Sequence, residues 1–301
     1  MYSHPTRFRH NRLSEVLSAL LNLTKLRITI LLVFVVFSSM AAASQGMMNA
    51  NIVLLLVGVC ALSAMGAGIL NNYFDRDIDR TVGRTFHRAM AVDRIGESPT
   101  LALGLAFSFS SFALSFIFFG WLLTLLIFLG WMHYVLIYTL LLKRRTVLNI
   151  VLGGWVGAYA PLIGWSAMRP LELAPIMLAL IIFLWTPIHF WSLAIAYAEE
   201  YKKTGVPMLP VRVGAKKTGK YILLNAAPLI LVTTVPPLVD PLTFGTFYII
   251  ASILFAVGIA TFSFSLYSNP SEQRSLTLFR WSNVLLFLLF LAVIGDAFIP
   301  L

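Results

Sequence analysis

Charge is what this sequence is short of. Of its 301 residues only 11% are Asp, Glu, Lys or Arg, against 59% hydrophobic residues and a mean hydropathy of +0.87. A soluble domain carries about 25% charged residues, so the shortage excludes a soluble globular protein and points to an integral membrane protein. Cysteine is nearly missing as well. Cys60 stands alone inside an apolar run, which excludes a disulfide framework or a cysteine metal cluster within one chain. The polar, basic first twelve residues are not followed by a short apolar core with a small-residue cleavage site. We therefore expect no cleaved signal peptide, and a first apolar run that stays in the membrane. No internal repeat is found, which argues against a transporter built from two similar halves.

What fills the chain instead is apolar runs. A helical span needs roughly 20 apolar residues. Nine segments approach that length: 28–46, 51–70, 99–119, 121–142, 147–168, 173–197, 221–238, 246–267 and 279–299. Only Gly120 separates the third from the fourth, so a tight helical hairpin is expected there. The net charge of +10 could suggest nucleic acid, but the positive residues sit in short connections between the runs. With the N-terminus, 71–98, 143–146, 198–220 and 268–278 on one side, that side and its flanking helix ends hold 21 of the 22 Lys and Arg residues, all but Arg169. The positive-inside rule makes it cytoplasmic and puts the C-terminus outside. We expect the lipid bilayer as partner and no nucleic acid. Residues 1–27 read as a cytoplasmic N-terminal segment, and 28–301 as one membrane domain with cap loops 71–98 and 198–220. Long ordered connections tend to be functional.

The first cap loop opens with "NNYFDRDIDR". Asn71, Asp75 and Asp79 step by four, so on a continuing helix they climb one face at intervals of about 6 Å. Arg76, Arg80, Arg84 and Arg88 also step by four, making a basic stripe beside the acidic one. The bland reading is a solvated helix end laced with salt bridges. The functional reading is a Mg²⁺–diphosphate site, because Mg²⁺ binds through one or two carboxylates plus substrate phosphates and arginine forks neutralise the remaining oxygens. No His or Cys stands at ligand spacing, which disfavours a transition metal; His87 reads as a surface residue.

The second cap loop, "AEEYKKTGVPMLPVRVGAKKTGK", holds Glu199 and Glu200 among Lys202, Lys203, Arg212, Lys216, Lys217 and Lys220. Anchoring on the cytoplasmic side accounts for most of these lysines, while Gly205, Pro207 and Pro210 shape the loop into a cap. Lys143, Arg144 and Arg145 end the fourth segment on the same side. Within the membrane, His189 lies beside Pro187 in "FLWTPIHFWSLAI". It is either a functional histidine facing the bundle interior or the partner of a carbonyl that the proline frees. Tyr134 and Tyr138 share a face of the fourth segment, and packing is the plainer reading of each.

The Asn71-x-x-x-Asp75-x-x-x-Asp79 spacing resembles the first motif of the UbiA-type intramembrane prenyltransferases. Four blocks in order, "NNYFDRDIDRTVGRT", "YTLLLKRRTVLNIVLGGWVGAYAPLIGWSA", "FLWTPIHFW" and "EEYKKTGVPMLPV", are similar to the protoheme IX farnesyltransferase branch, from "LTKLRIT" near residue 23 to about residue 215. The resemblance implies an all-α polytopic fold of nine transmembrane helices in a UbiA-type bundle around a central cavity. It implies Asn71, Asp75 and Asp79 as holders of Mg²⁺ and diphosphate, with Glu200 as the acid of the second motif. Arg84, Arg88, Lys143 and Arg144 match basic substrate-binding positions. Lys202, Lys203, Tyr134 and Tyr138 join them as candidate substrate contacts, and His189 matches a histidine that would meet the porphyrin. Thr204 stands where other branches carry a further acid. The implied reaction joins farnesyl diphosphate to haem b, giving haem O, in a prokaryotic cell membrane, with haem A synthase or oxidase assembly proteins as further partners. The alternatives are a UbiA-type transferase acting on an aromatic or quinone precursor, and a non-enzymatic haem or lipid transporter.

Overall fold

The computed structural model describes residues 12–299, so the polar N-terminal stretch lies largely outside the described residues. Every regular element among them is helical. In chain order they are α1 (Arg12–Leu23), α2 (Leu26–Ser44), α3 (Ala50–Phe74), the single turn α4 (Arg76–Asp79), α5 (Phe86–Ile95) and α6 (Glu97–Met132). A π-helical stretch, His133–Leu142, continues α6. Then come α7 (Asn149–Gly153), α8 (Trp155–Ser166), α9 (Leu173–Ala196), α10 (Ala198–Thr204), α11 (Leu209–Thr233), α12 (Pro236–Val239), α13 (Thr246–Ser268) and α14 (Glu272–Phe298). The long helices are apolar around most of their circumference, as helices must be when lipid lies on one side and other helices on the other.

Among the described residues seven helical runs are long and apolar enough to cross a membrane, against nine expected segments, and the difference has two causes. Segments 99–119 and 121–142 form one run, Glu97–Leu142. Within it Gly120 adopts φ 79°, ψ −173°, a conformation open to glycine, and the chain reverses there. Trp131 Nε1 donates to Ser108 Oγ at 2.9 Å, and Thr124 Oγ1 to Ser115 Oγ at 3.0 Å. On a straight helix residues 108 and 131 would stand roughly 35 Å apart. The expected hairpin is present. The segment 147–168 is divided into α7 and α8, neither of spanning length alone. With both hairpin arms counted and α7–α8 taken as one broken traverse, nine passages are recovered.

The passages close into a ring. α3 packs along α6, α6 meets α8, α8 meets α9, α9 meets α11, α11 meets α13, and α13 meets α14, which returns to α2. Small residues permit the close approaches. A Cβ at Gly164 of α8 would lie 2.1 Å from the carbonyl oxygen of Val36 in α2. Ser39 of α2 donates to the carbonyl of Pro161 at 2.7 Å.

Both long connections are built structure. The first contains α4 and α5, and α1 packs on α5 through Ala19, Leu23, Ala91 and Val92, with Glu15 and Arg94 paired at 2.9 Å. The segment expected as a plain N-terminal extension thus contains α1, whose Leu13, Val16, Leu17, Leu20 and Leu21 recur at helical spacing. The second connection holds α10 and the start of α11, which breaks at Gly214 (φ 79°). Ile78 and Val82 from the first and Val206, Met208 and Leu209 from the second belong to one buried cluster, so the two caps share a core.

Candidate active site

The acidic motif sits where α3 gives way to α4. Asp75 leaves the helical range (φ −95°, ψ 6°), yet the Asp75 amide bonds to the Asn71 carbonyl at 2.9 Å and the Asp79 amide to the Asp75 carbonyl at 2.8 Å. The four-residue step therefore survives the break. All three side chains are buried, at 4%, 1% and 5% exposure for Asn71, Asp75 and Asp79. A solvated helix end would leave them in water, so the bland reading fails here.

Their partners are uneven. Asp75 Oδ2 accepts from Lys143 Nζ at 2.6 Å and from Asn71 Nδ2 at 2.8 Å. Asp75 Oδ1 is buried with no hydrogen bond, and the Arg144 guanidinium stands 3.7 Å from it. The Asp79 carboxylate has no hydrogen-bond or ion-pair partner among the described residues. Glu200 Oε2, on α10, is also buried and unpartnered. Buried polar atoms are nearly always satisfied, so the open oxygen of Asp75, beside Asn71 and Lys143, marks a place for a ligand. No group of three or more His, Cys, Asp or Glu side chains gathers among the described residues. The donors here are instead two carboxylates and one carboxamide oxygen, a set that fits a hard divalent cation sharing its sphere with phosphate oxygens.

Two residues at the site escaped the sequence reading. Lys25 links α1 to α2 in the left-handed conformation (φ 49°, ψ 45°), uncommon for a residue with a Cβ. Its ammonium donates to Asn71 Oδ1 and, at 3.1 Å, to the Tyr134 hydroxyl. Burial, reinforced by the nearby Arg88 charge, pulls the Lys25 amine down to about 7. The only signal was a cation, with Arg27 two residues on, at the mouth of an apolar run in "LTKLRIT". The second residue is Thr139, fully buried, whose hydroxyl accepts from Asn71 Nδ2 at 2.8 Å.

The π-helical stretch explains how Tyr134, Thr139 and Lys143 meet on one side. At 100° per residue an α-helix would set Tyr134 and Lys143, nine apart, on opposite faces. Winding by i→i+5 turns, roughly 80° per residue, brings them within about 20° of each other. The wider wind is seen in the Lys143 amide bonded to the Tyr138 carbonyl at 2.8 Å and in Thr139 Oγ1 bonded to the Tyr134 carbonyl at 2.8 Å. Tyr134 and Tyr138 stack at 6.0 Å, keeping the shared face expected of them. Burial alone would lower the Lys143 amine, but the Asp75 carboxylate overrides it and the net shift is upward.

The other candidates fall at different distances from this centre. Arg144 forks onto Asp77 at 2.6 and 2.7 Å and bonds the Phe74 carbonyl at 2.9 Å, which fastens the end of the fourth passage to the α3–α4 turn. Their shared hydrogen bonds hold Asp77 below and Arg144 above their usual ranges. The basic stripe does not survive as a stripe, because the helix ends after Asp79. Arg76 and Arg80 pair with Glu97 (3.0 Å) and Asp93 (2.6 Å), Arg84 is exposed over the Tyr197 ring at 5.3 Å, and Arg88 is half-buried near Lys25. Lys202 and Lys203 are exposed on α10. His189 is buried in the seam between α9 and α14. Trp185 and Phe279 stack on its ring at 4.3 Å each, and Nδ1 lies 2.9 Å from Ser282 Oγ. Its hydrogen bonding is thus to α14, not to the carbonyl freed by Pro187.

The model of the UbiA prenyltransferase family matches residues 31–284. The chain belongs to that family. Among named UbiA relatives, the protoheme IX farnesyltransferase of Roseiflexus castenholzii is 36% identical over 284 residues, 94% of this chain and 52% of that protein. The protoheme IX farnesyltransferase of Thermus thermophilus is 36% identical over 92% of this chain and 45% of its own length. The chain thus spans about half the length of these two relatives. That of Symbiobacterium thermophilum, also 36% identical, is matched over 91% of this chain and 92% of its own. Among solved structures, a UbiA homologue from Archaeoglobus fulgidus bound to DMAPP and Mg²⁺ has a TM-score of 0.69 at 18% identity, covering 92% of this chain and 99% of the other. A structure described as digeranylgeranylglyceryl phosphate synthase reaches 0.79 at 18% identity, with 94% and 99% covered. At that identity they establish the fold alone, an all-helical UbiA-type bundle.

Proposed function

We propose that this UbiA prenyltransferase moves the farnesyl group of farnesyl diphosphate onto a vinyl group of haem b, giving haem O, and that it depends on Mg²⁺. The observation that carries the diphosphate half is the pair of buried, under-satisfied carboxylates Asp75 and Asp79 beside the ammonium groups of Lys25 and Lys143. The haem half rests on the protoheme IX farnesyltransferase relatives and on the sequence blocks shared with that branch.

Asn71, Asp75 and Asp79 would hold the Mg²⁺, which when bound neutralises diphosphate oxygens and favours their departure. Lys25 and Lys143 lie within reach of the same oxygens and balance the charge that grows on them, an electrostatic task of about 3–4 kcal/mol for each well-placed donor. Arg84, Arg88, Lys202 and Lys203 form an outer basic field that attracts the anion. The farnesyl C1–O bond breaks with its electron pair leaving on diphosphate. The π electrons of the haem vinyl group form the new C–C bond at C1, water adds to the resulting cation, and a proton is released. Stacked aromatic faces such as Tyr134 and Tyr138 favour the allylic cation, and a helix bundle excludes bulk water from it. His189 and Glu200 are proposed for the porphyrin side and the second motif. The positive-inside pattern supports a cytoplasmic site in a prokaryotic cell membrane.

The test is expression in membranes with haem b and farnesyl diphosphate, with and without Mg²⁺, reading product by mass. Haem O that appears only with Mg²⁺ is the expected result. Prenylation of an aromatic acid with haem b left unchanged would instead favour the quinone-precursor reading.

A further inference from the structure

Thr139 lies in the block "YTLLLKRRT" with no role assigned to it, yet its hydroxyl meets the carboxamide of Asn71, the proposed metal ligand. The Asn71 carboxamide has one oxygen and two N–H donors, and only the oxygen can bind a cation. Which way the amide faces is therefore a functional question, answered by its partners.

Two contacts claim the N–H groups. One goes to Asp75 Oδ2 and the other to Thr139 Oγ1, each at 2.8 Å. A hydroxyl can donate or accept, so a threonine beside an asparagine does not ordinarily choose for it. This one has no choice. Its own proton goes to the Tyr134 carbonyl at 2.8 Å, and a carbonyl only accepts. Thr139 Oγ1 is left able only to accept from Asn71. The amide must offer N–H to Thr139, and Oδ1 must face the opposite way, where it meets the Lys25 ammonium. The carbonyl that fixes the sequence of donors lies five residues back, within reach because the segment is π-wound.

We propose that Thr139 is a positioning residue that works with Asp75 and Lys25 to hold the Asn71 carboxamide with its oxygen turned away from the hydroxyl, the orientation in which that oxygen can take a cation, using the Tyr134 carbonyl as the fixed end of the chain. This rests on the Mg²⁺–diphosphate reading above and adds a residue to it. Second-shell partners of metal ligands typically set metal affinity by about 10- to 100-fold.

The experiment follows the thermal unfolding of the purified full chain in detergent as Mg²⁺ is titrated at fixed inorganic diphosphate, with no prenyl transfer involved. For the unaltered chain the midpoint rises to saturation with Mg²⁺. Thr139→Val keeps the shape and removes the hydroxyl, and should need about tenfold more Mg²⁺ for half of the rise. Thr139→Ser should restore the original requirement. Thr139→Ala serves should the valine variant not fold, because a water in the vacated space can donate as well as accept and the lock is still lost. In an Asn71→Asp background the two carboxylate oxygens are equivalent, so adding Thr139→Val should cause no further loss. An unchanged Mg²⁺ requirement in both the valine and alanine variants overturns the proposal. No rise at all in the unaltered chain would overturn the metal–diphosphate reading itself, a distinguishable failure.

Discussion

Two buried aspartates at opposite ends of the bundle make an instructive pair. Asp296, near the end of α14, is 5% exposed and accepts from the backbone amides of Gly245, Phe247 and Tyr248 at 2.9, 3.0 and 2.8 Å. Both of its oxygens are satisfied by the first turn of α13, whose free N–H groups and positive dipole end suit a carboxylate. Asp75 is 1% exposed, and only one of its oxygens is satisfied, by the Lys143 ammonium and the Asn71 side-chain amide. The first is finished and holds two helices together. The second is left open, which costs stability in the chain alone and keeps a position for ligands. Burial of an acid does not distinguish a structural from a working carboxylate; the count of its fixed partners does.

That contrast can be broken by exchanging the outcomes. Asp75→Ala should lower prenyl transfer by about 10³-fold in kcat/KM, the upper range for losing one preorganised electrostatic group, while the unfolding midpoint moves little. The Lys143 side chain left behind is 16% exposed and can turn toward water. Asp296→Ala should do the reverse, with a stability loss of about 2–4 kcal/mol in detergent unfolding and unchanged activity per folded molecule. Should Asp296→Ala abolish turnover in well-folded protein, the distinction would not stand. Arg144→Lys keeps the charge but loses the fork onto Asp77, and a fall in kcat of about fivefold is expected, near 1 kcal/mol for a partly exposed pair. The smallest effect belongs to the rim. Lys202→Ala with Lys203→Ala should raise KM for the diphosphate about twofold at low salt, and the rise should vanish at about 0.5 M salt.

The sequence made some of this plain for physical reasons. Asn71, Asp75 and Asp79 could be aligned by hand because an α-helix carries them and a four-residue step survives a minor break. The nine passages were legible from apolar length and from the one-sided lysines and arginines, and Gly120 marked the hairpin. Other features obey periods that the α-helical rule hides. Thr139 and Lys143 reach Tyr134's side only through π winding, and Lys25 is aimed by a single left-handed residue. Arg76 and Arg80 looked like phosphate ligands by spacing, yet acids 21 and 13 residues onward claim them. Asp296 gave no signal at all, since the amides that it meets lie about fifty residues earlier in the chain.

The residues that surround Asp75, from Lys25 through Asn71 and Tyr134 to Arg144, all lie in the first half of the polypeptide, whereas the last helix closes the ring by returning to α2. Synthesis runs from the N-terminus, so the ribosome delivers every residue that surrounds Asp75 before it begins the half that carries His189 and Glu200. On the proposed function, the grip on the leaving group is thus made first, and the residues proposed for the porphyrin side and the second motif are added around it.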